Sequence, residues 1–250
     1  MKPILLKALL SILISLVCIL FIGVVFMLTS CGGEKCDTTQ IDELVDLTEP
    51  MRAWPDAKEI IALYQLNTEP RRGAEFRAKY MSDVSFNKQT ILTLARGGNG
   101  LVTNPFVRER EIKKFEAQVQ AFHDSLAKDT TIGRSHSAIY IPIAGELNHL
   151  ATSGAENRIL IIFSDLMEHG TDVSFYDTQT ITLMRSDPQK LADVFFAKMP
   201  LSDLTGIHVF FIFQPQNIDA DETYRLVAGF WKRMFEAKGA VVTISANLTQ

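Results

Sequence analysis

The residues with the most chemistry in reach are carboxylates and hydroxyls placed at the ends of apolar or alternating runs. Asp165 follows the run Ile159-Leu160-Ile161-Ile162-Phe163, in Phe163-Ser164-Asp165-Leu166-Met167-Glu168. Asp83 ends a strand-like alternation, in Ser82-Asp83-Val84-Ser85-Phe86-Asn87. Ser135 and Ser137 lie in Gly133-Arg134-Ser135-His136-Ser137, just before a helical pattern. Two carboxylates with hydroxyl and amide oxygens suit a hard cation such as Mg²⁺, which prefers oxygen and keeps several waters. The spacing Asp83-x-Ser85-x-Asn87 suits a tight loop that turns every second side chain toward one point.

Such residues converge only if the elements before them end at one edge of a sheet. Phe76, Ala78 and Tyr80 alternate with Glu75, Arg77 and Lys79, as on a half-buried strand running to Asp83. Arg158–Ser164 and Ile207–Phe213 are continuous, β-branched-rich runs, as on strands covered on both faces, and Ala240–Ile244 is a weaker third. Helices are predicted at 60–66, 108–127, around 139–150, 189–198 and 221–238, the last closed by Gly239. Pro142 fits only the first turn of its helix. Residues 88–95 read equally as a short helix or, over Thr90–Leu94, as a strand. Strand, helix, buried strand, helix, strand predicts an α/β fold with a mainly parallel central sheet and helices on both faces. In such a sheet a ligand binds beyond the carboxyl ends of the strands, where Asp83 and Asp165 are expected.

With these pieces in order, the chain resembles the von Willebrand factor A fold and its metal-ion-dependent adhesion site over roughly residues 74–248. The family pattern is Asp-x-Ser-x-Ser after the first strand, a Thr or Ser before a later helix, and an Asp after the central strand. Asp83 and Ser85 match its first element, with Asn87 in place of the last serine. Ser135 or Ser137 supplies the middle hydroxyl, and Asp165 the final carboxylate. The resemblance implies Mg²⁺ (or Mn²⁺) at Asp83, Ser85, Asn87, Ser135, Ser137 and Asp165. It also implies a protein partner whose acidic side chain completes the coordination, and binding rather than catalysis. Two alternatives stand beside it: a metal-free docking component of an envelope assembly, and a metal-dependent hydrolase using Asp83, Asp165 and Glu168.

The N-terminus reads as an export device. Lys2 and Lys7 precede an apolar run from Ala8 to Leu28, broken only by Ser11, Ser15 and Gly23. The positive end stays in the cytoplasm and the chain beyond the apolar run is exported. Leu28-Thr29-Ser30-Cys31-Gly32 resembles the lipobox of bacterial lipoproteins, which implies that Cys31 is acylated and tethers the mature chain to the cell envelope. The run is also long enough to span a bilayer uncleaved, and a eukaryotic signal peptide is a third reading. The expected organisation is a signal or anchor over 1–30, a tether over 31–54 with a short helix near Ile41–Leu47, and one α/β domain over 55–250.

Composition excludes other classes. A net charge of −4 and 22% charged residues, with 47% hydrophobic, exclude a disordered chain and give no basic footprint for nucleic acid. Three cysteines are too few for a disulfide scaffold. Glu146-x-x-His149 and the basic cluster Arg108, Arg110, Lys113 and Lys114 read as solvated helix faces. His208 reads as a hydrogen-bonded structural residue at the start of a buried strand, and His136, Glu168 and His169 as loop surface.

Overall fold

A computed structural model of the chain describes residues 37–47, 55–81, 89–98, 104–126 and 138–248. The strands are β1 (Thr38–Asp46), β2 (Gly73–Met81), β3 (Gln89–Leu94), β4 (Asn157–Phe163), β5 (Ile207–Ile212) and β6 (Val241–Ser245). The helices are α1 (Ala57–Leu63), α2 (Pro105–Leu126), α3 (Tyr140–Thr152), α4 (Thr178–Ser186), α5 (Pro188–Lys198) and α6 (Ile218–Glu236). They build one sheet in the order β3-β2-β1-β4-β5-β6. Every pairing is parallel except β2 with β3. This is the expected α/β architecture, with an antiparallel edge strand where Thr90–Leu94 had two readings.

Helices cover both faces. Ile41, Val45, Phe76, Ile161 and Phe163 pack against Ile60 of α1, Tyr64 just after it, and Phe115 and Val119 of α2. On the opposite face Leu44, Leu160, Ile162, Val209 and Phe211 pack against α3, α5 and α6. Trp231 lies at the centre of that second core, stacked on Tyr140 and tilted against Phe195 and Phe175. Pro142 sits in the first turn of α3, and Gly239 at φ 97° turns the chain from α6 into β6.

The main correction concerns residues 31–54. Thr38–Asp46 is neither tether nor helix; it is β1, hydrogen-bonded to β2 on one side and β4 on the other. A strand buried on both faces normally reads as an unbroken apolar run. Here Gln40, Asp42, Glu43 and Asp46 interrupt that run, yet all four are buried. The compact unit accordingly starts at Asp37. Arg108 is a second correction. Instead of a solvated face it is buried, donating to the carbonyls of Pro70, Ala95 and Arg72. It thereby joins the start of α2 to the segments flanking β2 and β3.

No helix among the described residues is long and apolar enough to cross a membrane. The apolar run 8–28 and Cys31 lie outside the described residues.

Because β1 is central, Ile41, fully buried between β2 and β4, is a core residue. Ile41→Ala is expected to lower unfolding free energy by about 2–5 kcal/mol in urea titration. A shift near zero would return this segment to a tether.

Candidate functional site

The strand order makes the place of a ligand site specific. From β1 the chain moves outward to β2 and β3, and from β4 it moves the other way to β5 and β6. The connections leaving these two paired strands therefore run in opposite directions, and a crevice forms at such a switch point. Val45 pairs with Phe163, so Asp46 at the end of β1 lies beside Ser164 just after β4.

The loop after β4 is held by a chain of directed contacts. Ser164 Oγ donates to Asp46 Oδ2 at 2.8 Å and accepts from the Leu166 amide at 2.9 Å. Asp165 Oδ1 accepts from the Met167 amide at 2.9 Å. Leu166 has φ 62°, a left-handed conformation that L side chains rarely adopt. Its fully buried side chain and the Trp231 Nε1–H, which donates to its carbonyl at 3.1 Å, hold that strain in place. Glu168 Oε2 accepts from the Ile139 and Tyr140 amides at 2.8 Å each, satisfying the open N-terminus of α3. Burial raises the Glu168 carboxyl above its ordinary pKa, with the two amides pulling the other way. Glu168 is thus a buried anchor between loop and helix, not loop surface.

Asp165 is at the rim, as expected for its strand. Asp83, Ser85, Asn87, Ser135, Ser137 and His136 lie outside the described residues. Their attachment points are described: Met81 at the end of β2 pairs with Asp46, two positions before Asp83. Ile139, held by Glu168, comes two positions after Ser137. The residue that sequence reasoning missed is Asp46. Asp46-Leu47-Thr48 carries an Asp-x-hydroxyl spacing that begins at the last residue of the strand bordering β4. The signal available was the pair Leu44-Val45 before that aspartate, obscured by Asp42 and Glu43.

A second cluster lies between β1, β2 and α3. Glu146 of Glu146-x-x-His149 is buried and His149 is partly exposed; both face Asp42 of β1, and the three residues offer ligand atoms within 4.8 Å of one another. Cations already occupy this cluster. Lys79 donates to Glu146, and Arg77 Nε lies 3.8 Å from Asp42 and 3.9 Å from Glu146. Gln40 donates to Asp42 at 2.9 Å and accepts from Ser153 at 2.5 Å. Two positive side chains beside the donors fit a charge-compensated cluster rather than a metal centre. Burial pushes the Asp42 carboxyl up to about 8; Gln40 opposes this, the charge of Glu146 adds to it, and Arg77 counters it weakly. Burial and then the charge of Arg77 lower His149.

On the other face, Glu43 and His123 form a buried pair, with Nε2 3.0 Å from Glu43 Oε2 and Nδ1 2.8 Å from the Val119 carbonyl. Both ring nitrogens face acceptors, which suits the doubly protonated ring. Burial opposes that charge, but Glu43 and the Val119 carbonyl outweigh it and His123 is raised. His208 hydrogen-bonds Thr243 Oγ1 at 2.9 Å, the structural role expected of it.

Comparison with known proteins finds no matching family model and no matching curated sequence. Among solved structures, an aerotolerance-related membrane protein from Bacteroides fragilis NCTC 9343 aligns at 11% identity and TM-score 0.37, covering 84% of this chain and 92% of that one. The pilus adhesin SpaC from Lactobacillus rhamnosus GG aligns at 11% identity and TM-score 0.38, covering 85% of this chain and 28% of that one. Likeness at this level carries no argument about family or activity.

The Asp42 network predicts a pH dependence. Its carboxyl is raised from 3.8 to about 8 on folding, so the folded state binds the extra proton between those values. Its contribution is fully present below about pH 4 and is lost as pH rises toward 8. Chemical denaturation of Asp42→Asn across this window is expected to show a flatter pH profile than the parent; parallel profiles would refute the assignment.

Proposed function

We propose that this chain is an envelope-anchored binding protein whose α/β domain, resembling von Willebrand factor A, engages a protein partner at the β1/β4 rim through a divalent cation. The supporting observation is the pairing of Asp46 with Ser164 at the switch point, with Asp165 next in the chain.

Carboxylate and hydroxyl oxygens of this kind fit a hard ion, Mg²⁺ or Mn²⁺, which takes one or two protein carboxylates and fills its shell with water and ligand. Asp46 and Asp165 would hold it, and Ser164 would orient Asp46. Ser135 or Ser137 and the Asp83-x-Ser85-x-Asn87 loop are candidates for the remaining protein ligands. The cation would supply an open position for an acidic side chain of the partner. Charge complementarity of this sort governs encounter rate and specificity. Binding rather than turnover is the proposed role. The anchor is an acylated Cys31, which places the domain outside the cytoplasm.

The proposal is tested by thermal melts of the protein in Mg²⁺, Mn²⁺ and chelator, repeated with Asp46→Asn and Asp165→Asn. The parent melting temperature is expected to rise with metal by mass action and the response to vanish in both variants. An unresponsive parent would leave metal-free docking. Phosphoester turnover lost in the same variants would mean a hydrolase. For the anchor, the mass of membrane-extracted protein is expected to begin at an acylated Cys31; an intact Met1 would mean an uncleaved helix.

A further inference from the structure

The segments flanking β1, β2, β3 and α2 meet at the amino edge of the sheet, opposite the rim. The Gly73 amide donates to the Asp37 carbonyl and the Gly97 amide to the Arg71 carbonyl, each at 2.9 Å. Arg108 ties the first turn of α2 to the same corner through the carbonyls of Pro70, Ala95 and Arg72. Asn104 starts that turn, its Oδ1 accepting from the Phe106 amide at 3.0 Å, and Pro105 takes the first helical position. Phe106 and Val107 follow, 77% and 44% exposed. The charge around them is positive. Arg72 pairs with Asp37 and Glu69, Arg108 with Glu111, and Lys113 with Glu109, while Glu116 also acts on Lys113. Arg71, Arg96, Arg110 and Lys114 add further exposed cations. An exposed apolar pair among basic side chains suits an anionic lipid surface. Ile218 is as exposed as Phe106, but it begins α6 at the opposite edge beside Asp219 and Asp221, where such a surface would be repelled.

We propose that this amino edge docks on the anionic lipid surface to which the chain is anchored. The inference rests on the membrane anchor of the proposed function, in either of its forms. Asp37, where the compact unit starts, comes six positions after Cys31 and nine after Leu28. Fully extended, those linkers span at most about 20 or 30 Å. Asp37 is therefore kept near the bilayer, and with it the corner to which it is hydrogen-bonded. Phe106 and Val107 enter the headgroup layer, where their apolar surface leaves water. Arg71, Arg96 and Arg110 face lipid phosphates, which a planar guanidinium meets with paired hydrogen bonds. β1 runs nine residues, roughly 30 Å, from this edge to Asp46. Docking by the amino edge thus turns the rim away from the bilayer, toward a partner.

The test uses the membrane-extracted chain reconstituted into vesicles, with chelator present so that no divalent cation bridges protein and lipid. The vesicles contain phosphatidylglycerol and a phosphatidylcholine brominated near the headgroup, which quenches tryptophan on contact. Phe106→Trp is expected to show quenching beyond that of the parent, whose own tryptophans are Trp54 and Trp231. Ile218→Trp, equally exposed at the far edge, is expected to add none. Arg71→Gln with Arg110→Gln is expected to lower the Phe106→Trp signal about twofold or more, and high salt or vesicles without phosphatidylglycerol to act in the same direction. Equal quenching of the two tryptophan variants, or a Phe106→Trp signal indifferent to salt and lipid charge, would overturn the proposal. So would a chain that floats with the vesicles yet shows no added quenching; that result spares the anchor and leaves the patch to a protein partner. A chain that does not float with the vesicles sinks the anchor and this docking together. Because metal is absent throughout, neither failure touches the divalent-cation reading of the rim.

Discussion

Four polar side chains buried on the central strand govern much of this structure. Gln40, Asp42, Glu43 and Asp46 lie between two sheet neighbours and two helical layers, where an unpaired polar group or charge is costly. Each therefore has a named partner drawn from a different element. Asp42 meets Gln40, Arg77 of β2 and His149 of α3. Glu43 meets His123 of α2, and Asp46 meets Ser164 after β4. Burial of β1 thus requires α2, α3, β2 and the β4 loop to sit where they do. Such ion pairs add little net stability over well-packed apolar residues, but removing one partner costs about 3–5 kcal/mol. They make the arrangement of elements hard to change more than they make it stable.

The rim inherits its rigidity from the same source. Asp46 is held in place by its strand, and Ser164 by Asp46 and by the Leu166 amide. Leu166 accepts a left-handed conformation because its side chain and carbonyl are gripped by the core around Trp231. Glu168 ties the far end of the same loop to the first amides of α3. The short loop from Ser164 to Glu168 is therefore anchored to β1, α3 and α6, which is the preorganisation that a binding edge needs. A cavity lined by both polar and aromatic residues continues from this loop toward α6.

Most of the architecture was legible along the chain. β2, β4, β5 and β6 followed from alternation or from short apolar runs, and α2, α3 and α6 from apolar steps of three and four. Asp165 stood out because an acid directly after a buried run marks a strand's carboxyl end. β1 was hidden because its polar residues break the apolar signature of a covered strand. Their compensation comes from Arg77, His123 and Ser164, which are 35, 80 and 118 positions away from their partners Asp42, Glu43 and Asp46. Arg108 and Glu146 were read as solvated for the same reason. A charged residue at a helical position looks exposed until the carbonyls or carboxylates that meet it are known.

The sequence by itself determined the class of fold and the acid at the end of the central buried run, because each is written in neighbouring residues. Tertiary structure alone decided that Thr38–Asp46 is the middle of the sheet. It also decided that Asp46 is the acid beside the β4 loop. The reason is physical: periodicity reports which side of an element is apolar. The identity of a buried polar group's partner depends on contacts between residues far apart in the chain.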